Sequence, residues 1–211
     1  MAAPSVNPPG TPPPPPPPRP LGPPARQFDA AVLLQAMGPG LGMRAAIFDV
    51  DGVLTDGRIY VGERGETVKA FSTLDGQGLK MLSRCGIAPV IITGRDSPAV
   101  RRRVAELGIA HACYGVEDKL AAAVPVLAAL GVGWDETAAI GDDWPDLPLL
   151  LRAGFACAPA QAHPEVLAAA HHVTRAHGGH GAAREFCDLL LTAAGHYVEL
   201  LQAHLGAPDR S

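Results

Sequence analysis

A doubly wound parallel α/β sheet is the fold that the sequence predicts, on three observations. Short apolar runs alternate with longer stretches of helical periodicity between Arg44 and Ala194, the order expected when parallel strands are joined by helices that cover both faces. The chain has 211 residues and 47% hydrophobic content, enough to bury one core of ordinary size. Polar clusters close several of the runs, and in doubly wound sheets ligands bind beyond the carboxyl ends of the strands.

Taken in order, the residues from Gln27 to Met37 carry Phe28, Val32, Leu33 and Ala36 at helical spacing before Gly38-Pro39-Gly40, which predicts a short helix. Strands are expected at Arg44 to Phe48, Ala88 to Thr93, Ala110 to Tyr114, Thr137 to Ile140, Gly154 to Cys157 and His171 to Thr174. Helices are expected at Leu74 to Cys85, Pro98 to Leu107, Lys119 to Leu130, Pro145 to Arg152 and Gly181 to Ala194. One piece departs from this rhythm. Gly57 to Val61, the turn Gly62-Glu63-Arg64-Gly65 and Glu66 to Phe71 alternate in the manner of a β-hairpin, directly after the first strand.

Thirteen of the first 24 residues are proline, including the unbroken run Pro12 to Pro18, so this segment can neither pair strands nor propagate a helix and reads as extended polyproline II chain. The expected organisation is a disordered proline-rich tail over residues 1–26, one compact domain over 27–200 and a flexible tail over 201–211, with Met37 and Met43 as alternative starts. A net charge of −4 gives no general attraction to nucleic acid or anionic membranes. Cys85, Cys113, Cys157 and Cys187 are scattered without a close pair, which argues against a disulfide framework or zinc ribbon and fits a reduced, cytoplasmic protein. No apolar run approaches the roughly 18 residues of a membrane span, and no basic start followed by an apolar stretch marks a secretory leader.

The chemistry is concentrated at strand ends. The first strand stops on Asp49-Val50-Asp51; Thr93-Gly94-Arg95 closes a second; Glu117-Asp118-Lys119 follows a third; Gly141-Asp142-Asp143 and Asp146 close a fourth. Carboxylates, a hydroxyl and a lysine at one rim suit phosphoryl transfer through an aspartyl-phosphate, which needs a carboxylate nucleophile, a divalent cation and donors for the phosphoryl oxygens. Two competing readings fail on the letters. A calcium loop starting at Asp49 would place Val53, Leu54 and Tyr60 where an oxygen ligand, glycine and glutamate are required. A phosphate-binding Gly-x-x-x-x-Gly-Lys-Ser/Thr string does not occur.

In order and spacing, "FDVDGVLTDGRIY" from Phe48, "IITGR" ending at Arg95, Asp118-Lys119, "GDDWPDLPLL" from Gly141, "AHPEV" from Ala162 and "VTRAHGGHGAAREFCDLLL" from Val173 resemble the haloacid dehalogenase-like phosphohydrolases. More narrowly, they resemble the 3-deoxy-D-manno-octulosonate 8-phosphate phosphatase family. The resemblance covers about Arg44 to Ala194 and implies a Rossmann-like sheet. By position it implies Asp49 as nucleophile and Asp51 as acid and base, the two lying on the same side of an extended chain. It implies Mg²⁺ held by Asp49, Asp142 and the Asp51 carbonyl, with Thr93 and Lys119 holding phosphoryl oxygens. Substrate contacts are implied for Asp51 and Lys119, for Ser72, Thr73, Leu74, Asp75 and Gly76, and for Lys80, Arg95 and Arg103. A sugar acid bearing carboxylate and phosphate needs such cations.

Several positions keep two readings. Asp143 and Asp146 are either outer partners of the cation or helix caps. Arg103 lies in Arg101-Arg102-Arg103, which also reads as a solvated basic face. His171-His172, His177 and His180 fit no standard zinc spacing, and His180 stands where the family places arginine or lysine. Only about 40 residues separate Asp51 from Thr93 and about 25 separate Thr93 from Lys119, too few for an inserted cap domain. The site is therefore expected to be capless. The resemblance implies a homotetramer with packed hairpins and neighbouring chains completing each site, acting in lipopolysaccharide biosynthesis. The rivals are a phosphatase for a nine-carbon, sialic-acid-like 9-phosphate and a non-catalytic binding module of the same fold.

Overall fold

The computed structural model describes residues 24–38, 42–63 and 65–205. The proline run, Pro39-Gly40 of the first helix's expected stop and the last residues of the expected C-terminal tail lie outside them. The first strand, β1 (Ala45–Phe48), is buried along its whole length. It pairs in parallel with β4 (Ala88–Ile92) on one side and β6 (Thr137–Ile140) on the other, Ala45 lying opposite both Ala88 and Thr137. With β5 (His111–Cys113), β7 (Phe155–Ala158) and β8 (His172–Val173), these form a six-stranded sheet in the order β5-β4-β1-β6-β7-β8.

Alternate residues of each strand serve opposite cores. Ala46, Phe48 and Ile91 face a core shared with α2 (Thr73–Arg84), α3 (Pro98–Leu107) and α7 (Ala182–Ala193), with α1 (Ala30–Ala36) packed outside α7. Ile47, Val90 and Ile92 face a second core with α4 (Lys119–Leu130), α5 (Leu147–Leu150) and α6 (Pro164–Ala169). The chain leaves β1 toward β4 and β5, then crosses back to β6, so the direction of winding reverses between β1 and β6. That reversal opens a crevice at the carboxyl ends of the two strands.

The hairpin is present as β2 (Tyr60–Gly62) and β3 (Gly65–Val68), antiparallel and bulged between Tyr60 and Val61. It stands off the sheet, with Ile59, Val61 and Val68 exposed. Three features differ from the sequence expectation. The helix expected from Pro145 to Arg152 is a 3₁₀ turn over Trp144–Asp146 leading into the single turn of α5, because Asp143 caps the turn through its side chain. A six-residue helix, α6, occupies the link before β8; it is too short for apolar periodicity to declare and is capped by the His163 ring accepting from the Glu165 N–H. Finally, α8 (Tyr197–His204) continues past residue 200, with Tyr197 and Leu200 packed against the core.

Candidate active site at the carboxyl end of the sheet

Asp49 directly follows β1 and is 7% exposed, its N–H donating to the Ile140 carbonyl of β6. Lys119 opens α4, whose start is fixed by Asp118 accepting from the Ala121 N–H. Its ammonium is buried between two carboxylates, donating to Asp49 Oδ1 at 2.7 Å and Asp146 Oδ1 at 2.6 Å. The second Asp146 oxygen accepts from the backbone N–H groups of Asp142 and Asp143, at 3.0 and 3.3 Å. Asp146 thus both holds the lysine and shapes the loop that carries Asp142. Asp143 is exposed, and its Oδ1 accepts from the Trp144 N–H at 2.8 Å. Two glycines make this convergence possible. A Cβ on Gly52 would lie 2.0 Å from Asp142 Oδ2, and one on Gly141 would lie 2.3 Å from the Asp146 Cβ.

One oxygen from each of Asp49, Asp142 and Asp146 lies within 4.8 Å of the others. Among the described residues this is the only acidic, histidine or cysteine group so arranged. Burial, then the charge of Asp146, pushes the Asp49 carboxyl up to about 7 against the opposing pull of Lys119. Burial, then Asp49 and Asp146, pushes Asp142 up to about 8. Burial opposes the charge on Lys119, but the two carboxylates outweigh it and hold its proton more firmly than usual. Three carboxylates against one ammonium leave an excess of negative charge that a divalent cation would relieve, and the hard oxygen donors fit Mg²⁺.

Asp51 is held by a different set of side chains. Its Oδ1 is engaged by Lys69 from the segment after β3, and its Oδ2 lies 3.9 Å from Arg95 Nε. Lys69 also pairs with Glu66 at 3.5 Å, and Glu66 accepts from Arg95 at 2.9 Å. Burial opposes ionisation of Glu66, but Arg95, Ser97 and Lys69 together hold its carboxyl below its ordinary range. Thr93, 1% exposed at the end of β4, accepts through its hydroxyl from the Arg95 N–H at 3.4 Å.

The remaining expected substrate contacts spread along α2. Thr73 and Leu74 are exposed and Ser72 is half-buried. Gly76 is buried beneath Arg103, whose Nη2 would lie 2.3 Å from an added Cβ and reaches the Ser72 carbonyl at 3.5 Å. Asp75 is buried and accepts from the Arg184 N–H at 2.7 Å at the start of α7. Lys80 is exposed further along the helix. The arginine triplet divides: Arg101 pairs with Asp96 and covers the Tyr114 ring, Arg102 pairs with Glu106, and Arg103 turns inward. The histidines divide too. The His171 ring accepts from the Ala156 N–H, His172 faces Glu185, and His180 bonds the Gly178 carbonyl.

Sequence reasoning missed three contributors. Glu66 and Lys69 are ordinary hairpin letters, and only the docking of the hairpin brings them to Asp51. Gln161 has no motif signal, yet its amide donates to the Gly52 carbonyl at 2.7 Å and accepts from the Gly178 N–H at 2.9 Å. It ties the loop around residues 177–181 to the segment after Asp51. Gly178 and Gly179 let that loop approach: added Cβ atoms would lie 1.8 Å from the Gly52 carbonyl oxygen and 2.6 Å from the Asp56 nitrogen. A cavity of about 300 Å³ lined by Asp56, Arg58, Gln161, His177 and His180 opens beside this contact.

A doubly wound sheet whose first strand ends on Asp-x-Asp, with a threonine, a lysine and a carboxylate pair gathered around it, defines a haloacid dehalogenase-like hydrolase. A profile of that description matches residues 117–186. The chain is 46% identical over 151 residues to the 3-deoxy-D-manno-octulosonate 8-phosphate phosphatase of Yersinia pestis, covering 72% of this chain and 81% of the relative. It is 45% identical over 157 residues to the same enzyme of Escherichia coli K12, covering 74% and 84%. The structure superposes with a TM-score of 0.78 on the enzyme of Moraxella catarrhalis, solved with magnesium, phosphate and its sugar acid. That protein is 37% identical, with 82% of this chain and 98% of that one covered. The chain belongs to the 3-deoxy-D-manno-octulosonate 8-phosphate phosphatase family, and it is a phosphoric monoester hydrolase.

Proposed function

We propose that the protein hydrolyses 3-deoxy-D-manno-octulosonate 8-phosphate to the free sugar acid and phosphate, through an aspartyl-phosphate at Asp49. The observation that carries this reading is the buried Lys119, which spends two N–H bonds on Asp49 and Asp146 and keeps a third for a phosphoryl oxygen. An Asp49 oxygen bonds to phosphorus as the ester P–O bond breaks, and Asp51 gives its proton to the departing sugar oxygen. Asp51, now a carboxylate, takes a proton from water as the water oxygen bonds to phosphorus and the Asp49–phosphorus bond breaks. Lys119 and Thr93 hold the phosphoryl oxygens throughout. Asp49, Asp142 and the Asp51 carbonyl would hold Mg²⁺, with Asp146 beside them; the cation supplies positive charge that lets an anionic nucleophile meet an anionic ester.

Arg95, Arg103, Lys80 and the residues from Ser72 to Gly76 supply the contacts of the sugar acid in this reading. We further propose that the enzyme is a cytoplasmic homotetramer serving lipopolysaccharide biosynthesis. The exposed apolar side chains of the hairpin support the assembly, and no described helix is long and apolar enough to cross a membrane. We place the catalytic domain from Arg26, which pairs with Glu185 and Asp188, through the end of α8 at His204. Turnover of a panel of sugar phosphates, with and without Mg²⁺, tests the assignment. Preference for the eight-carbon 8-phosphate and dependence on Mg²⁺ are expected. Preference for a nine-carbon 9-phosphate would overturn the substrate, and wild-type rates in Asp49→Asn would overturn the mechanism.

A further inference from the structure

Lys69 is the most deeply buried charge that the proposed mechanism leaves without a task. Its side chain is 1% exposed, although the hairpin that delivers it has an apolar, solvent-facing surface. Burying an ammonium is costly unless good partners meet it. Here they do, in a closed ring of alternating charge: Lys69 pairs with Asp51 and Glu66, Glu66 with Arg95, and Arg95 reaches back to Asp51. The ring treats the two oxygens of Asp51 differently. Oδ1 is held by Lys69, whereas Oδ2 is buried and accepts no hydrogen bond among the described residues.

We propose that Lys69, carried by the hairpin and braced by Glu66, is a positioning residue that fixes the Asp51 carboxyl group with Oδ1 anchored and Oδ2 presented to the leaving oxygen and then to water. The inference rests on the acid and base role proposed for Asp51. A ring that served only to fasten the hairpin would lose stability when broken and slow both chemical steps alike. A ring that aims Asp51 has a narrower signature. Release of p-nitrophenolate from p-nitrophenyl phosphate needs little help from a proton donor, whereas departure of a sugar alkoxide and attack by water both need Asp51.

The test compares wild type, Lys69→Met, Lys69→Arg, Glu66→Gln and Asp51→Asn in the full chain with Mg²⁺. In Lys69→Met, kcat for 3-deoxy-D-manno-octulosonate 8-phosphate should fall about 100-fold with KM within about threefold. With p-nitrophenyl phosphate, the first turnover should persist as a burst of one equivalent per site, followed by slow release of phosphate. Lys69→Arg should recover about tenfold of the loss, since the charge is kept. Glu66→Gln loosens Lys69 without emptying its place, so it carries the test where Lys69→Met does not fold; the same split is expected there at about tenfold. Unchanged kcat, or an equal fall in burst and turnover, would overturn the role of Lys69. An active Asp51→Asn would instead overturn the acid and base reading itself, while an inactive Asp51→Asn beside an active Lys69→Met would sink the positioning role alone.

Discussion

Two ionic clusters meet within three residues of chain, at Asp49 and Asp51, and they are built in opposite ways. The Asp49 cluster is held by central elements: the fully buried strand β1, the loop after the fully buried strand β6 and the first turn of α4 deliver Asp49, Asp142, Asp146 and Lys119. It is unbalanced, with three carboxylates and one ammonium, and its carboxyls respond by holding protons up to about 7 and about 8. The Asp51 cluster sets two cations beside two carboxyl groups, and half of it arrives on a hairpin. The first cluster carries an excess of negative charge that a divalent cation would relieve. The second supplies its own charges and is suited to orienting a side chain.

The largest effect that would separate them is at the nucleophile. Asp49→Asn should lower turnover by about 10⁴-fold or more, against the smaller loss expected of Lys69→Met, as read by steady-state phosphate release. Next, Lys119→Met leaves Asp49 and Asp146 without their shared ammonium, and should cost about 3 kcal/mol in denaturant unfolding without metal.

The contrast in charge balance gives a pH test. At neutral pH in the absence of metal Asp142 is mostly and Asp49 partly protonated, so Mg²⁺ binding should release protons and tighten as pH rises toward about 8. Calorimetry in buffers of different ionisation enthalpy reads that release. Because both carboxyls are raised from 3.8, their protonation favours the metal-free fold most below that value. That stabilisation is lost as pH climbs through about 7 to 8, and Mg²⁺ should restore it. Glu185, near α1, has the opposite sign. Burial pushes it up, but His172, the Arg175 N–H and Arg26 outweigh burial and hold it at about 2. Its contribution is present above 4.5 and disappears as pH falls toward about 2; Glu185→Gln should flatten that acid limb of a thermal-melt series.

The smallest of these effects concerns the loop that braces the segment after Asp51. Gly178→Ala drives a Cβ against the Gly52 carbonyl and should cost about 2 kcal/mol. Gly131→Ala, where nothing lies within 4 Å and only the φ of +63° resists, should cost about 1 kcal/mol. Paired thermal melts give the difference, and turnover should suffer only in the first.

Legibility followed the source of each constraint. The strands of the sheet were readable because double-sided burial demands apolar runs, and the convergence of Asp49, Lys119 and Asp142 was readable because each sits at a fixed step past a strand or at a helix start. The hairpin was readable from its alternation. What it touches was not, since Glu66 and Lys69 look like any solvated strand residues until docking buries them. Asp146 could be read as a cap or as an outer partner of the cation; it accepts two backbone N–H groups and also binds Lys119. Arg26, placed in the tail by composition, pairs with Glu185 and Asp188 at 3.2 and 3.1 Å, a contact that proline counting cannot register.

By itself, the sequence determined the doubly wound order, the acidic strand end and the class of chemistry, because local burial and residue type constrain all three. Tertiary structure alone decided which oxygen of Asp51 is anchored, which arginine of the triplet turns inward and how closely the glycine loop approaches Gly52. Those outcomes depend on distances between segments far apart in the chain, and no local pattern encodes them.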